Sequence, residues 1–148
     1  MTEEELRGFI QVVTNYFESI SGEKAVMGLP YVKGAGSTLG DYTGLIGISG
    51  SRKGGIYFTT GRPLLEEFAY IILGEAVQDD DYLYDLVGEI TNTIAGNMRE
   101  TFGSTFLISI PIVLRGRVTD IDMKLKPPVF IIPITWKHHN SHLAIGLE

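Results

Sequence analysis

The chain has no cysteine, a single tryptophan and only 12 Lys and Arg residues among 148. Without cysteine there can be no disulfide framework, no thiol nucleophile and no thiolate metal site, and the composition suits a reducing compartment. The cytoplasm is therefore the expected location. The 12 basic residues stand against 18 acidic ones, giving a formal net charge of −6, and they are scattered. No electropositive face awaits a phosphate backbone, so nucleic acid is not an expected partner. Long apolar runs are also missing. The longest, Phe106–Leu114 and Val129–Trp136, fall far short of the roughly 20 residues that span a bilayer. The opening Thr2-Glu3-Glu4-Glu5 carries the wrong charge for a signal peptide, and no membrane association is expected.

What is present is a good core. Hydrophobic residues make up 44% of the chain and aromatics 10%, enough for one compact domain over residues 1–148. Thr2 followed by Glu5 resembles a capping box, and Leu6, Phe9, Ile10, Val13, Tyr16, Phe17 and Ile20 then recur with helical spacing. Ala25–Lys33 reads as a strand that Pro30 pushes towards a sheet edge. Leu45–Gly50 and Gly54–Phe58, around Ser51-Arg52-Lys53, read as a hairpin. Pro63 opens a second helix that stops near Gly74, and Asp79, Asp80 and Asp81 open a third that runs to Gly103. Phe106–Ile110, Ile112–Thr119, Val129–Thr135 and Leu143–Leu147 are β-rich, with Pro127-Pro128 marking a break. This order lacks strict βαβ alternation, so the expected fold is α+β, a mostly antiparallel sheet packed by about three helices.

The third helix is the most informative element. On a wheel of about 100° per residue, Leu83, Leu86, Val87, Ile90, Ile94 and Met98 fall in one arc that should face the core. Asp85, Glu89, Asn92 and Gly96 gather opposite, at i, i+4, i+7 and i+11, as one solvent-facing ridge. A polar face is ordinary for an amphipathic helix, but this one is poorly chosen for helix stability. Asn is a weak helix former, and an interior Gly costs about 1 kcal/mol relative to Ala. Gly96 also removes bulk one turn from Asn92, where another backbone could then approach. Asn97 falls near the core arc and is expected to be buried.

The run Asp85-Leu86-Val87-Gly88-Glu89-Ile90-Thr91-Asn92 resembles the Asp/Ser-xxx-Glu-xx-Asn motif of the CheC/CheX/FliY chemotaxis phosphatases. Thr43–Gly50 with Gly54-Gly55 is similar to that family's hairpin, and Ser109-Ile110-Pro111 with Gly116 to the segment after its active helix. One copy of the motif is present where CheC carries two, so the chain is most similar to the CheX branch. Pro111 lies closer to the Asn than the family's proline does, a departure in the loop rather than in the helix. The resemblance implies a phosphatase acting on the aspartyl phosphate of a CheY-type response regulator, and a homodimer joined at sheet edges. It implies that Asn92 positions the attacking water and that Glu89 pairs with the regulator's lysine. It implies no cofactor bound by the chain itself, the Mg²⁺ belonging to the regulator. Asp85 and Gly96 are expected to contact the partner. The alternative is a non-catalytic module of the same fold that binds a receiver domain or another signalling partner.

Other constellations carry less. The glycine-rich stretch from Gly34 to Gly55 lacks the GxxxxGK[ST] arrangement of a phosphate-binding loop. His138, His139 and His142 do not form a helical HExxH pattern, and adjacent histidines on a strand point to opposite faces, so surface or edge-strand positions are expected rather than a metal site. There is no GxSxG elbow. Trp136 is expected in the core or at a dimer contact.

Overall fold

The computed structural model describes residues 1–34, 39–116 and 128–148. Its elements are α1 (Glu3–Ser21), β1 (Val26–Met27), β2 (Tyr31–Val32), β3 (Tyr42–Gly50), β4 (Gly54–Thr60), α2 (Arg62–Leu73), α3 (Asp80–Phe102), β5 (Phe106–Ile108), β6 (Ile112–Arg115), β7 (Phe130–Trp136) and β8 (His139–Leu147). Local sequence explains their ends. Thr2 and Glu5 close a reciprocal capping box on α1, and Gly22 ends that helix in the left-handed conformation with φ 75°, a region open to glycine at little cost. Asp79 caps α3 by accepting from the Asp81 amide.

The eight strands form one antiparallel sheet in the order β1-β7-β8-β4-β3-β5. Each edge is a broken strand. On one side β1 and β2 pair in succession with β7, separated by Gly28–Pro30, and on the other β5 and β6 pair in succession with β3, separated by Ser109–Pro111. Proline cannot donate to a ladder, so both prolines sit where a strand is interrupted at an edge. The expected strand over Ala25–Lys33 is thus two short pieces. The expected strand Ile112–Thr119 is β6 as far as Arg115, its part beyond Gly116 lying outside the described residues, as do Pro127 and residues 35–38 of the glycine-rich stretch. The C-terminal strand is longer than its apolar run and lies in the middle of the sheet between β7 and β4. It is not an edge, so His139 and His142 are not edge-strand residues.

The helices share one face of the sheet. The core between them contains Phe9, Val13 and Phe17 of α1, Leu64, Leu65 and Phe68 of α2, and Leu83, Val87, Ile90, Ile94 and Met98 of α3, against Ile46, Ile56, Phe58, Ile132, Trp136, Leu143 and Ile145. Trp136 is fully buried, and its ring lies 5.5 Å from Phe17 and 5.6 Å from Phe68. A smaller cluster of Tyr57, Ile131 and Ala144 occupies the opposite sheet face, as the two-residue strand period requires.

Candidate active site

The position of α3 is set by what lies beneath it. Along its inner face Leu83, Leu86, Val87, Gly88, Ile90, Thr91, Ile94, Ala95 and Met98 are buried, so every residue of the expected core arc is found there. Two glycines let the helix sit close to the sheet. A Cβ at Gly44 of β3 would collide with the Thr91 hydroxyl and lie 3.1 Å from the Val87 carbonyl oxygen, and a Cβ at Gly88 would lie 2.9 Å from Val113 Cγ2. Thr91 satisfies its own buried hydroxyl by donating to Val87 O at 2.7 Å.

The N-terminal end is fastened by charge. Asp80 accepts from Arg62 Nη1 at 2.9 Å and also bonds the Tyr42 hydroxyl and Arg115. Bonding to Tyr42 and then to Arg115 holds its carboxyl below the usual carboxylate range. Arg115 in turn lies over the Tyr84 ring at 5.2 Å, and the Tyr84 hydroxyl donates to Val113 O at 3.0 Å. Strands β3 and β6 and helix α2 thus grip the first two turns of α3.

The segment after β5 completes the seat. Ser109 Oγ accepts from the Gly47 amide at 2.9 Å and donates to Ile110 O at 3.0 Å, while Pro111 packs over Gly88 with its Cγ 3.8 Å from where a Cβ would stand. Ile110 is left 84% exposed beside the helix. Gly44 of the hairpin and Pro111 thus both meet α3, and Gly47 holds Ser109 beside them.

On the outer face Asp85 and Glu89 are exposed, and Asn92 and Gly96 are half-exposed. All four expected residues lie on one open ridge. Among the described residues the Asn92 amide and the Asp85 and Glu89 carboxylates have no hydrogen-bonding partner, which leaves them available. A Cβ at Gly96 would meet nothing within 4 Å, so the chain's own packing does not require glycine there. Asn97 corrects an expectation: it is half-buried rather than in the core, because it faces α1 across a groove instead of the sheet. Tyr16 of α1 also lines that groove, its ring against Phe17 and Phe68 and its hydroxyl near Thr93. Burial, then the Glu89 charge, raises its pKa, keeping the phenol neutral.

The seat is the part of the site that sequence reasoning misses. Gly88 stands inside the motif, and a glycine at the middle of a long helix is a readable signal of close packing; Gly44, Thr91 and the Asp80 network depend on contacts between residues distant in sequence.

The arrangement presents a neutral amide with both hydrogen-bond polarities, flanked by carboxylates. Among the described residues there is no cluster of three or more His, Cys, Asp or Glu that could hold a metal ion, and no helix is long and apolar enough to cross a membrane. His138 follows Lys137 in a turn where both have positive φ. His139 Nε2 lies 2.8 Å from Glu67 Oε1, and burial lowers the pKa of His142. The three histidines do not converge.

The family model of the chemotaxis phosphatase CheX matches residues 42–135, from the start of β3 through α3 and nearly to the end of β7. Among solved structures, a CheC-like superfamily protein from Shewanella sp. PV-4 is 27% identical, with 100% of this chain and 99% of that chain covered and a TM-score of 0.87. The chemotaxis protein CheX from Vibrio vulnificus is 26% identical, with 98% and 99% covered and a TM-score of 0.87. The CheX–CheY–BeF₃–Mg²⁺ complex from Borrelia burgdorferi matches at 20% identity, with 97% of each chain covered and a TM-score of 0.76, a likeness of fold. No curated protein sequence matches. With three helices on an antiparallel sheet, the motif on the open face of α3 and a family match over most of the chain, this chain belongs to the CheX family of chemotaxis phosphatases.

Proposed function

We propose that residues 1–148 act as one CheX-like unit that hydrolyses the aspartyl phosphate of a CheY-type response regulator, with Asn92 positioning the water and Glu89 pairing with the regulator's lysine. The observation that carries this reading is the ridge itself. Asp85, Glu89, Asn92 and Gly96 share the open face of a helix whose other face is wholly packed, so the helix can enter a partner's pocket without disturbing its own core.

The chemistry asks little more of this chain. Phosphoryl transfer passes through a loose transition state that depends on alignment and charge neutralisation, and a phosphorylated receiver brings its own Mg²⁺ and lysine. A water oxygen forms the new bond to phosphorus, the bond to the regulator's carboxylate breaks, and orthophosphate and a free aspartate result. Asn92 can accept from that water and donate to a phosphoryl oxygen, whereas a carboxylate there would be repelled by the phosphoryl charge. Glu89, three residues earlier, meets a cation instead, and its charge sets the orientation of the complex. Asp85 and Gly96 extend the contact surface, the glycine admitting partner backbone close to Asn92.

The same reading makes the active species a homodimer. The β1–β2 edge leaves Val26, Leu29, Tyr31 and Val32 exposed, an apolar margin suited to pairing with a second sheet.

The test is turnover. Added in catalytic amounts to a CheY-type receiver phosphorylated by acetyl phosphate in Mg²⁺, the protein shortens the phosphate's lifetime and releases orthophosphate over many cycles. A lifetime that is unchanged or lengthened marks a binding module instead.

A further inference from the structure

Between α1 and α3 runs a groove of about 500 Å³ lined by Gln11, Asn15, Tyr16 and Ser19 on one side and Asn97 and Glu100 on the other. Most of its polar lining is neutral. Gln11 Nε2 donates to Asn15 Oδ1 at 2.7 Å, leaving the Asn15 amide hydrogens and the Gln11 carbonyl oxygen free for other partners. Among the described residues the half-buried Asn97 amide, which lines the groove, forms no hydrogen bond. Asn and Ser are weaker helix formers than Ala, Lys or Glu, so helix propensity does not account for these positions.

The groove is also continuous with the ridge. Gly96 precedes Asn97 and stands in open space, and from Asn92 through Gly96 to Glu100 and Asn97 the α3 surface turns through about 140° without an intervening bulky side chain. Tyr16 lines the groove and is near enough to Glu89 for that charge to act on its hydroxyl.

We propose that this groove is the second half of the docking surface and takes up a stretch of exposed polypeptide backbone of the receiver domain, next to the pocket that Asn92 enters. Carboxamides of both polarities match the alternating C=O and N–H groups of a loop or helix end, and the single ionic lining residue, Glu100, leaves little means to select charged side chains. The occupant is thus read by its backbone. The inference rests on the phosphatase reading but concerns affinity, whereas the ridge amide concerns the chemical step.

The experiment separates the two. Affinity is measured for a CheY-type receiver loaded with Mg²⁺ and beryllofluoride, and turnover for the same receiver phosphorylated by acetyl phosphate, using Asn15→Ala/Asn97→Ala, Tyr16→Phe and Asn92→Ala. The double variant is expected to bind about tenfold more weakly with saturating turnover within twofold of the parent, and to melt at the same temperature or higher, since Ala is the better helix former. Tyr16→Phe, which keeps the buried ring, is expected to weaken binding about threefold. Unchanged affinity in both variants overturns the groove. Full activity in Asn92→Ala defeats the catalytic reading and leaves the affinity result to judge the groove by itself.

Discussion

Helix α3 contains two glycines eight residues apart that do opposite things. Gly88 is pressed against Val113 and Pro111, where a single added carbon would stand 2.9 Å from Val113 Cγ2, while a carbon added at Gly96 would touch nothing within 4 Å. The first glycine is explained by the chain's own packing; the second is not. An interior glycine costs about 1 kcal/mol relative to alanine, and at Gly88 that cost is offset by a close seat on the sheet. At Gly96 no intramolecular gain offsets it. The contrast separates the half of the helix packed against the sheet from the half that the chain's own packing leaves open.

Breaking the inner half should cost the most stability. Gly88→Val forces a branched side chain into the seam with β6, and overpacking of this kind costs about 1–3 kcal/mol; the urea midpoint should fall accordingly, and an unchanged midpoint would mean the seam is not fixed. On the outer half Glu89→Ala should lower affinity for phosphorylated receiver about tenfold, as expected for a lost charged contact, reduce turnover, and leave the unfolding midpoint where it was. Gly96→Ala sharpens the comparison because the two effects have opposite signs. Stability should rise by up to about 1 kcal/mol while receiver binding weakens. A gain in stability with no loss of binding would leave that glycine without a role in docking.

The smallest effect concerns the end that grips the sheet. Bonding to Tyr42 and Arg115 depresses the Asp80 carboxyl, so its contribution to stability is present above the usual carboxylate range and is lost as the pH falls through the lower folded-state value. Asp80→Asn should therefore slightly lower the thermal midpoint at neutral pH and flatten its decline in acid, an effect kept small by solvent screening. Equal acid limbs for the two proteins would place the acid sensitivity elsewhere.

How much of this could be read from the chain alone follows from the range of the interactions involved. Periodicity and caps are local, so the three helices, the β3–β4 hairpin and the split between the faces of α3 were legible from residues such as Thr2, Pro63, Asp79 and the 83–98 apolar arc. Asp85, Glu89, Asn92 and Gly96 fall on one face for the same reason. Sheet order is not local. That the last strand inserts between β7 and β4, and that Pro30 and Pro111 interrupt opposite edges, depends on pairings between distant residues. Asn97 shows where a helical wheel gives out. The wheel ranks residues by angle from the core, but α1 covers one flank of α3, and a residue there faces a neighbouring helix instead of the interior.

The central claim is that one outward amide, Asn92, performs the chemical step while the rest of the surface holds the partner. Single-turnover decay of a phosphorylated CheY-type receiver, at concentrations that saturate binding, tests it most directly by comparing the parent protein with Asn92→Ala. The expected result is a decay rate about 100-fold slower, the scale for removing one positioned hydrogen-bonding group, with receiver affinity and melting temperature unchanged. A variant that binds equally well and dephosphorylates at the parental rate would contradict it.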